Sequence, residues 1–292
     1  MKRRHVLKRR HVLAAPLLAA PILAFAQDKD PRRLRLALLP DENASTIIQN
    51  ARPLAAHLGK VLGRDIEVVV TTDYSSMIEA MRFGRIEIAY FGGFSYVLAK
   101  SRAPAIEPFA VGLERGLPTY RSILIAGINS PVLTLEDIRG RAFAFGDQAS
   151  TSSHLAPRAH IQKRTGLVGD RDYRAVHLGT HDAVARAVQA GQVPAGGLSE
   201  QIFRTLLQRG IVEEAKLRVL DHSDPIPNYP LVMQGDLAPA LKQAIRDAFL
   251  DLKDPALLRN FRVEGFAPTD DAAYDVLREM ARILNLDVSR AG

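Results

Sequence analysis

Four hydroxyl residues in a row, Ser150-Thr151-Ser152-Ser153, follow an apolar run ending in Phe145 and lead into a helical stretch. The stretch 145–154, FGDQASTSSH, reads as a strand running out into a turn that opens a helix. Free N–H groups at a helix start, together with the positive end of its dipole, attract an anion without any formal charge. Neighbouring hydroxyls add donors that can wrap a tetrahedral oxyanion. One hydroxyl is enough to cap a helix, so the run is either a redundant cap or an anion cradle, and its length favours the cradle. A second candidate helix start is Gly179-Thr180-His181-Asp182-Ala183. There His181 can donate to an anion, while Asp182 fixes its tautomer or accepts a proton from a ligand oxygen. An ordinary polar first turn explains the same residues. Third come Tyr74 and the run Tyr90-Phe91-Gly92-Gly93-Phe94, each following a β-rich stretch. Gly92 and Gly93 permit close backbone approach to a ligand and a tyrosine hydroxyl can donate to one; half-buried packing is the competing reading.

Other chemistries lack their parts. Ser, His and Asp occur together, but no G-x-S-x-G elbow is present and the serines sit where a helix is capped, which argues against a hydrolase. The chain has 0 Cys, hence no thiol nucleophile, disulfide framework or cysteine lipid anchor. His57, His154, His160, His177, His181 and His222 form no helical H-x-x-x-H pair with a carboxylate motif, so neither a metal nor another cofactor is expected.

The amino end is of a different kind. KRRHVL at 2–7 recurs at 8–13, an apolar run spans 12–25, and Ala24-Phe25-Ala26 precedes Gln27, so residues 1–26 read as a cleaved export signal. Arg9-Arg10 resembles a twin-arginine signal. The apolar run, interrupted by Pro16 and Pro21, is shorter than the ~20 residues of a spanning helix. Removing 1–26 subtracts six basic and no acidic residues from a formal charge of +7, leaving +1, and the case for nucleic-acid binding goes with it.

The candidate residues need a scaffold that brings distant turns together. From residue 33 onward short β-rich runs alternate with helical patterns, the signature of an α/β protein with mainly parallel sheets. Strands are expected at 34–39, 66–70, 86–91, 106–111 and 120–126, with helices at 44–62, capped by Asn43 or Ser45, and 75–83. A second set follows: strands 141–145, 195–198 and 217–220, and helices 152–164, 181–189 and 199–209. Two helices, 236–252 and 270–284, end the chain. This order predicts two α/β lobes, residues 27–122 plus 225–292 and residues 123–224, joined by two extended crossings, with ligand in the cleft between them.

In order and spacing, Asp73-Tyr74, Tyr90-Phe91-Gly92-Gly93 with Ser95-Tyr96, Tyr120-Arg121-Ser122, Ser150-Thr151-Ser152, His181-Asp182-Ala183 with Val188, and Gly197-Leu198-Ser199-Glu200 resemble the PhnD-type phosphonate-binding proteins of ABC transporters. The resemblance implies the type II periplasmic binding fold and a phosphonate held by Ser150, Thr151, Ser152, Tyr74 and His181, with Tyr120 and Glu200 nearby; Ser153, which with His154 replaces a more usual Gly and small or apolar neighbour, and Asp182 and Tyr229 are further ligand-binding candidates. Glu200 matches a position that faces the ligand amine in members binding aminoalkylphosphonates. Those members carry an Asp in the second crossing, where this chain has Asn228-Tyr229-Pro230, and the 180–182 and 196–200 segments are similar to the branch binding phosphite or very small phosphonates. Asp182 or Glu200 is expected to accept from a P–OH and so disfavour sulfate. The implied partners are a small oxyanion and a membrane permease; a membrane sensor kinase would need the same closing cleft.

Overall fold

A computed structural model describes residues 28–289, so the expected export signal lies outside the described residues. The chain starts with β1 (Arg33–Leu38), α1 (Ala44–Leu62), β2 (Asp65–Val70), α2 (Tyr74–Arg82), β3 (Ile88–Tyr90), α3 (Gly93–Arg102) and β4 (Glu107–Gly112). It crosses through β5 (Thr119–Tyr120) into β6 (Ser122–Gly127) and β7 (Ala142–Phe145). A π turn, Thr151–Leu155, continues directly into α4 (Ala156–Thr165), followed by β8 (Arg174–His177), α5 (His181–Gln189), β9 (Ala195–Ser199), α6 (Glu200–Gln208) and β10 (Leu217–His222). The return runs through β11 (Ile226–Pro227) into β12 (Pro230–Met233), α7 (Pro239–Leu250), α8 (Pro255–Leu258), β13 (Phe266–Pro268) and α9 (Asp275–Ile283).

Two sheets result, ordered β13-β4-β12-β3-β1-β2 and β10-β6-β9-β7-β8. In the first, β1 pairs parallel with β2 and β3, while β12 is antiparallel to β3 and β4. The second repeats the plan: β7 is parallel to β8 and β9, and β6 is antiparallel to β9 and β10. Each lobe is thus built on three parallel strands in the order second, first, third, then a strand arriving from the other lobe. A two-stranded ribbon, β5 against β11, carries both crossings side by side.

Amphipathic spacing explains the helices. In α1, Ile47, Ala51, Leu54 and Leu58 are buried on one stripe, Asn43 caps the start and Gly63 ends it at φ 62°. The continuous strand expected over 120–126 is instead broken at Arg121, where the chain leaves the ribbon for the second sheet. The helix expected from 152 starts one residue earlier as a π turn. Helix α3 and the short elements β8, α8 and β13 were not foreseen. Among the described residues no helix is long and apolar enough to cross a membrane.

Candidate functional site

The parallel strands of both lobes point their carboxyl ends at the interlobe cleft, the usual ligand side of open α/β sheets. Helix starts crowd there: Tyr74 is the first residue of α2, Gly93 of α3, His181 of α5 and Glu200 of α6, with the π turn after β7. The lobes are closed on one another. His181 N–H donates to the Asp41 carbonyl at 3.1 Å and Phe94 N–H to Thr151 Oγ1 at 2.8 Å, each across the cleft. Gly92 faces the same hydroxyl, a Cβ there lying 3.4 Å from Thr151 Oγ1. At Gly93 a Cβ would come within 2.6 Å of Leu277, so α9 and α3 pack as closely as a glycine allows.

Ser150 caps the π turn, its Oγ accepting from Ser153 N–H at 3.2 Å. Leu155 N–H reaches the Ser150 carbonyl, five residues back, at 3.1 Å. A π turn therefore leaves one more N–H without an intrahelical acceptor than an α-helical start would. Thr151, Ser152 and Ser153 are buried. Because Thr151 Oγ1 already accepts from Phe94, its own O–H is left to donate. The Ser152 carbonyl accepts from Ser122 Oγ at 2.6 Å, whereas Ser152 Oγ has no protein partner. Ser153 turns the other way: its Oγ bonds Ser150 Oγ at 2.9 Å and fills the space beside Gly146.

Among the buried donors without an acceptor are Tyr74 Oη, Tyr120 Oη, Ser152 Oγ and His181 Nε2, which come from four different segments. For His181 the tautomer follows from geometry. Its Nδ1 accepts from Ser199 N–H at 3.0 Å, so Nδ1 is bare and Nε2 carries the proton. Burial, then the nearby Arg262 charge, push its pKa down to about 3, so the ring is a neutral donor at any ordinary pH. Burial and then the Asp41 charge push the Tyr74 hydroxyl well above its ordinary range. Burial likewise raises that of Tyr120, whose neighbours are Ser152, Tyr229 and Thr151. Tyr229 packs its ring 5.4 Å from Tyr120 and 5.2 Å from Tyr90. The Asn228 amide, also in the second crossing, presents an unpartnered Nδ2.

The two carboxylates expected at the cleft are occupied differently. Asp182 leaves Oδ1 buried and unpartnered, its Oδ2 lying 3.8 Å from Arg186. Glu200 is bonded by Arg204 at 2.7 Å, and Arg204 also grips Glu114 of the first lobe. Three residues not foreseen border the site: Asp41 and Glu42, just past β1, and Arg262. Arg262 bonds the buried Asp41 carboxylate and lies 3.8 Å from Glu42, which Arg209 of the second lobe reaches at 3.3 Å. Acid at 41–42 with an arginine 220 residues later carries no local signal; only the sheet order brings them together.

The family model for the periplasmic substrate-binding protein of phosphonate ABC transporters matches residues 36–274. The chain belongs to this family. Similar to it in sequence is the phosphate-import protein PhnD of Mycolicibacterium smegmatis, 27% identical over 280 residues, 87% of this chain and 86% of the relative. The phosphonates-binding periplasmic protein of Escherichia coli is 26% identical over 273 residues, 90% of this chain and 79% of the relative. Among solved structures, PhnD1 of Prochlorococcus marinus in complex with methylphosphonate superposes with a TM-score of 0.81 at 22% identity, covering 88% of this chain and 99% of that one. The likeness establishes the two-lobed periplasmic binding fold, and family membership makes this chain the substrate-binding component of an ABC importer.

Proposed function

We propose that this protein captures a small phosphonate or phosphite, holding the tetrahedral oxyanion in the cleft between lobes 27–122 plus 225–292 and 123–224. The observation that carries the reading is the set of buried donors without acceptors, Tyr74 Oη, Tyr120 Oη, Ser152 Oγ and His181 Nε2, around the π turn. These are neutral donors, and an oxyanion supplies the acceptors that desolvated donors require. The Ser150, Thr151 and Ser152 turn binds from the second lobe and Tyr74 from the first, so the ligand favours the closed form that a permease recognises. Gly92 lets the start of α3 approach Thr151 and Gly93 lets α3 pack against α9, while Ser153 supports Ser150 from behind. Asp182, with one bare carboxylate oxygen, is the acceptor for a P–OH. The relatives' named ligands, phosphate, phosphonates and methylphosphonate, share this oxyanion geometry.

The ligand leaves chemically unchanged, since the serines sit in a capping turn with no base positioned against an exposed Oγ. Residues 1–26 act as the cleaved export signal, of twin-arginine type, which the amino-terminal sequence of the periplasmic protein checks. Titration of the cleared mature protein with phosphite, methylphosphonate, 2-aminoethylphosphonate, phosphate and sulfate tests the binding; heat with one of the first three supports it, and silence across all five removes it. Deleting the gene and scoring growth on the bound phosphorus source separates uptake from signalling to a sensor kinase.

A further inference from the structure

Tyr120, one of the donors of the anion site, also lines a cavity of about 150 Å³ whose walls include Glu114, Arg115, Arg121, Glu200 and Arg204. Tyr120 belongs to both spaces, its hydroxyl lying among those of Ser152, Thr151 and Tyr229. A substituent on a bound phosphorus centre that leaves the donor cluster by this side therefore meets two carboxylates, Glu114 and Glu200. Left free, they would recruit an ammonium group. They are not free. Arg204 Nη1 bonds Glu200 at 2.7 Å and Arg204 Nη2 bonds Glu114, while Gln201 Nε2 takes the other Glu114 oxygen at 2.7 Å. The Glu200–Arg204 pair alone would be a weak i,i+4 helix contact. Its extension to Glu114 across the cleft, with the two carboxylates 23% and 16% exposed, makes a part-buried bridge that closes with the lobes.

We propose that Arg204 is a specificity-determining residue: it holds the place and the charge of a cationic ligand substituent and restricts the site to phosphorus oxyanions whose substituent carries no positive charge. The proposal deepens the oxyanion reading above and rests on it. Arg115 and Arg121 line the same cavity, so the wall holds three guanidinium groups against two carboxylates. An incoming ammonium would have to displace Arg204 from both partners and leave that guanidinium part-buried beside it, a like-charge cost that an ethyl group avoids. The same bridge ties selection to closure, since an ammonium that displaced Arg204 would also break a link between the lobes.

The test compares ethylphosphonate with 2-aminoethylphosphonate, which differ by the ammonium group, on the mature protein and on Arg204→Met. The expected result is at least tenfold tighter binding of the ethyl compound by the unaltered protein, and a ratio shifted at least tenfold toward the amino compound in Arg204→Met. That shift should vanish in Arg204→Met with Glu200→Gln and Glu114→Gln. If the unaltered protein binds the amino compound as tightly as the ethyl one, the proposal fails, whether or not the variant folds. It fails equally if a folded Arg204→Met keeps the original ratio. Methylphosphonate and phosphite distinguish the two levels: binding either with the wrong ratio overturns the role of Arg204 alone, whereas no binding of any of the three phosphonates or of phosphite removes the oxyanion reading with it.

Discussion

Ser152 is the residue at which the binding account is most exposed. Its carbonyl is tied to Ser122 and its side chain is buried with no protein partner, so the hydroxyl serves no structural bond that alanine would sacrifice. Ser152→Ala should leave thermal stability near its original value and weaken oxyanion binding by ~1.5–3 kcal/mol, the range for a hydrogen bond to a charged group; titration calorimetry reads both the loss and any failure to lose. His181 gives a second prediction. Its imidazole should keep the proton on Nε2 from pH 8 down to pH 5, and ring nitrogen shifts by NMR would contradict this if they showed imidazolium or the other tautomer. The same group links stability to pH. With a folded pKa of about 3 against ~6.5 unfolded, the unfolded chain binds a proton the folded one refuses, so stability is full above pH 6.5 and falls as pH drops toward 3. His154, lowered to about 4 by burial and then by His177, acts in the same direction. Each should cost about 2 kcal/mol at pH 5, and denaturant midpoints measured at pH 7 and 5 should move accordingly. At this scale the sequence was informative wherever residue types cluster locally, as in the serine–threonine run. It was silent on Asp41 and Arg262, whose pairing depends on a fold that closes 221 positions.

At the scale of elements, the turn after β7 depends on a glycine chosen for space. A Cβ on Gly146 would lie 2.1 Å from Ser153 Oγ and 3.0 Å from its Cβ, so Gly146→Ala should destabilise the turn and weaken ligand binding together. Adding Ser153→Gly removes both clashing atoms and should recover most of the loss, which a double-mutant cycle on the denaturation midpoint measures. Most long elements were legible because apolar spacing and capping residues agree, as in α1 with Asn43 and Gly63. Helix α3 was hidden by the glycines at its start, where Gly92 supplies no side-chain cap. Strand β8 is four residues long at a sheet edge, with Arg174 and His177 exposed, too short and too polar to stand out. Arg262 ends a short helical turn at φ 55°, a left-handed conformation that normally marks a glycine, so no residue type announced the bend that brings it to Asp41.

The whole molecule works through closure. Contacts that cross the cleft include His181 to Asp41, Phe94 to Thr151, Arg209 to Glu42 and Arg204 to Glu114. Arg209→Ala leaves Glu42 without its second-lobe partner and should shift the unliganded protein toward open forms, seen as a larger radius of gyration by small-angle scattering that saturating ligand reverses. An unchanged radius would mean that Arg209 does not hold the lobes. The two-lobe plan could be read from the alternation of strands and helices, but not the shared strand order of the sheets, which is fixed by long-range pairing. The central claim is that neutral donors at the lobe junction hold a small phosphorus oxyanion, and calorimetric titration of the mature protein with methylphosphonate and sulfate tests it most directly. Saturable heat with methylphosphonate, at an affinity that Ser152→Ala weakens, and none with sulfate, is the predicted result; equal binding of sulfate, or no binding of methylphosphonate, phosphite or phosphate, would contradict it.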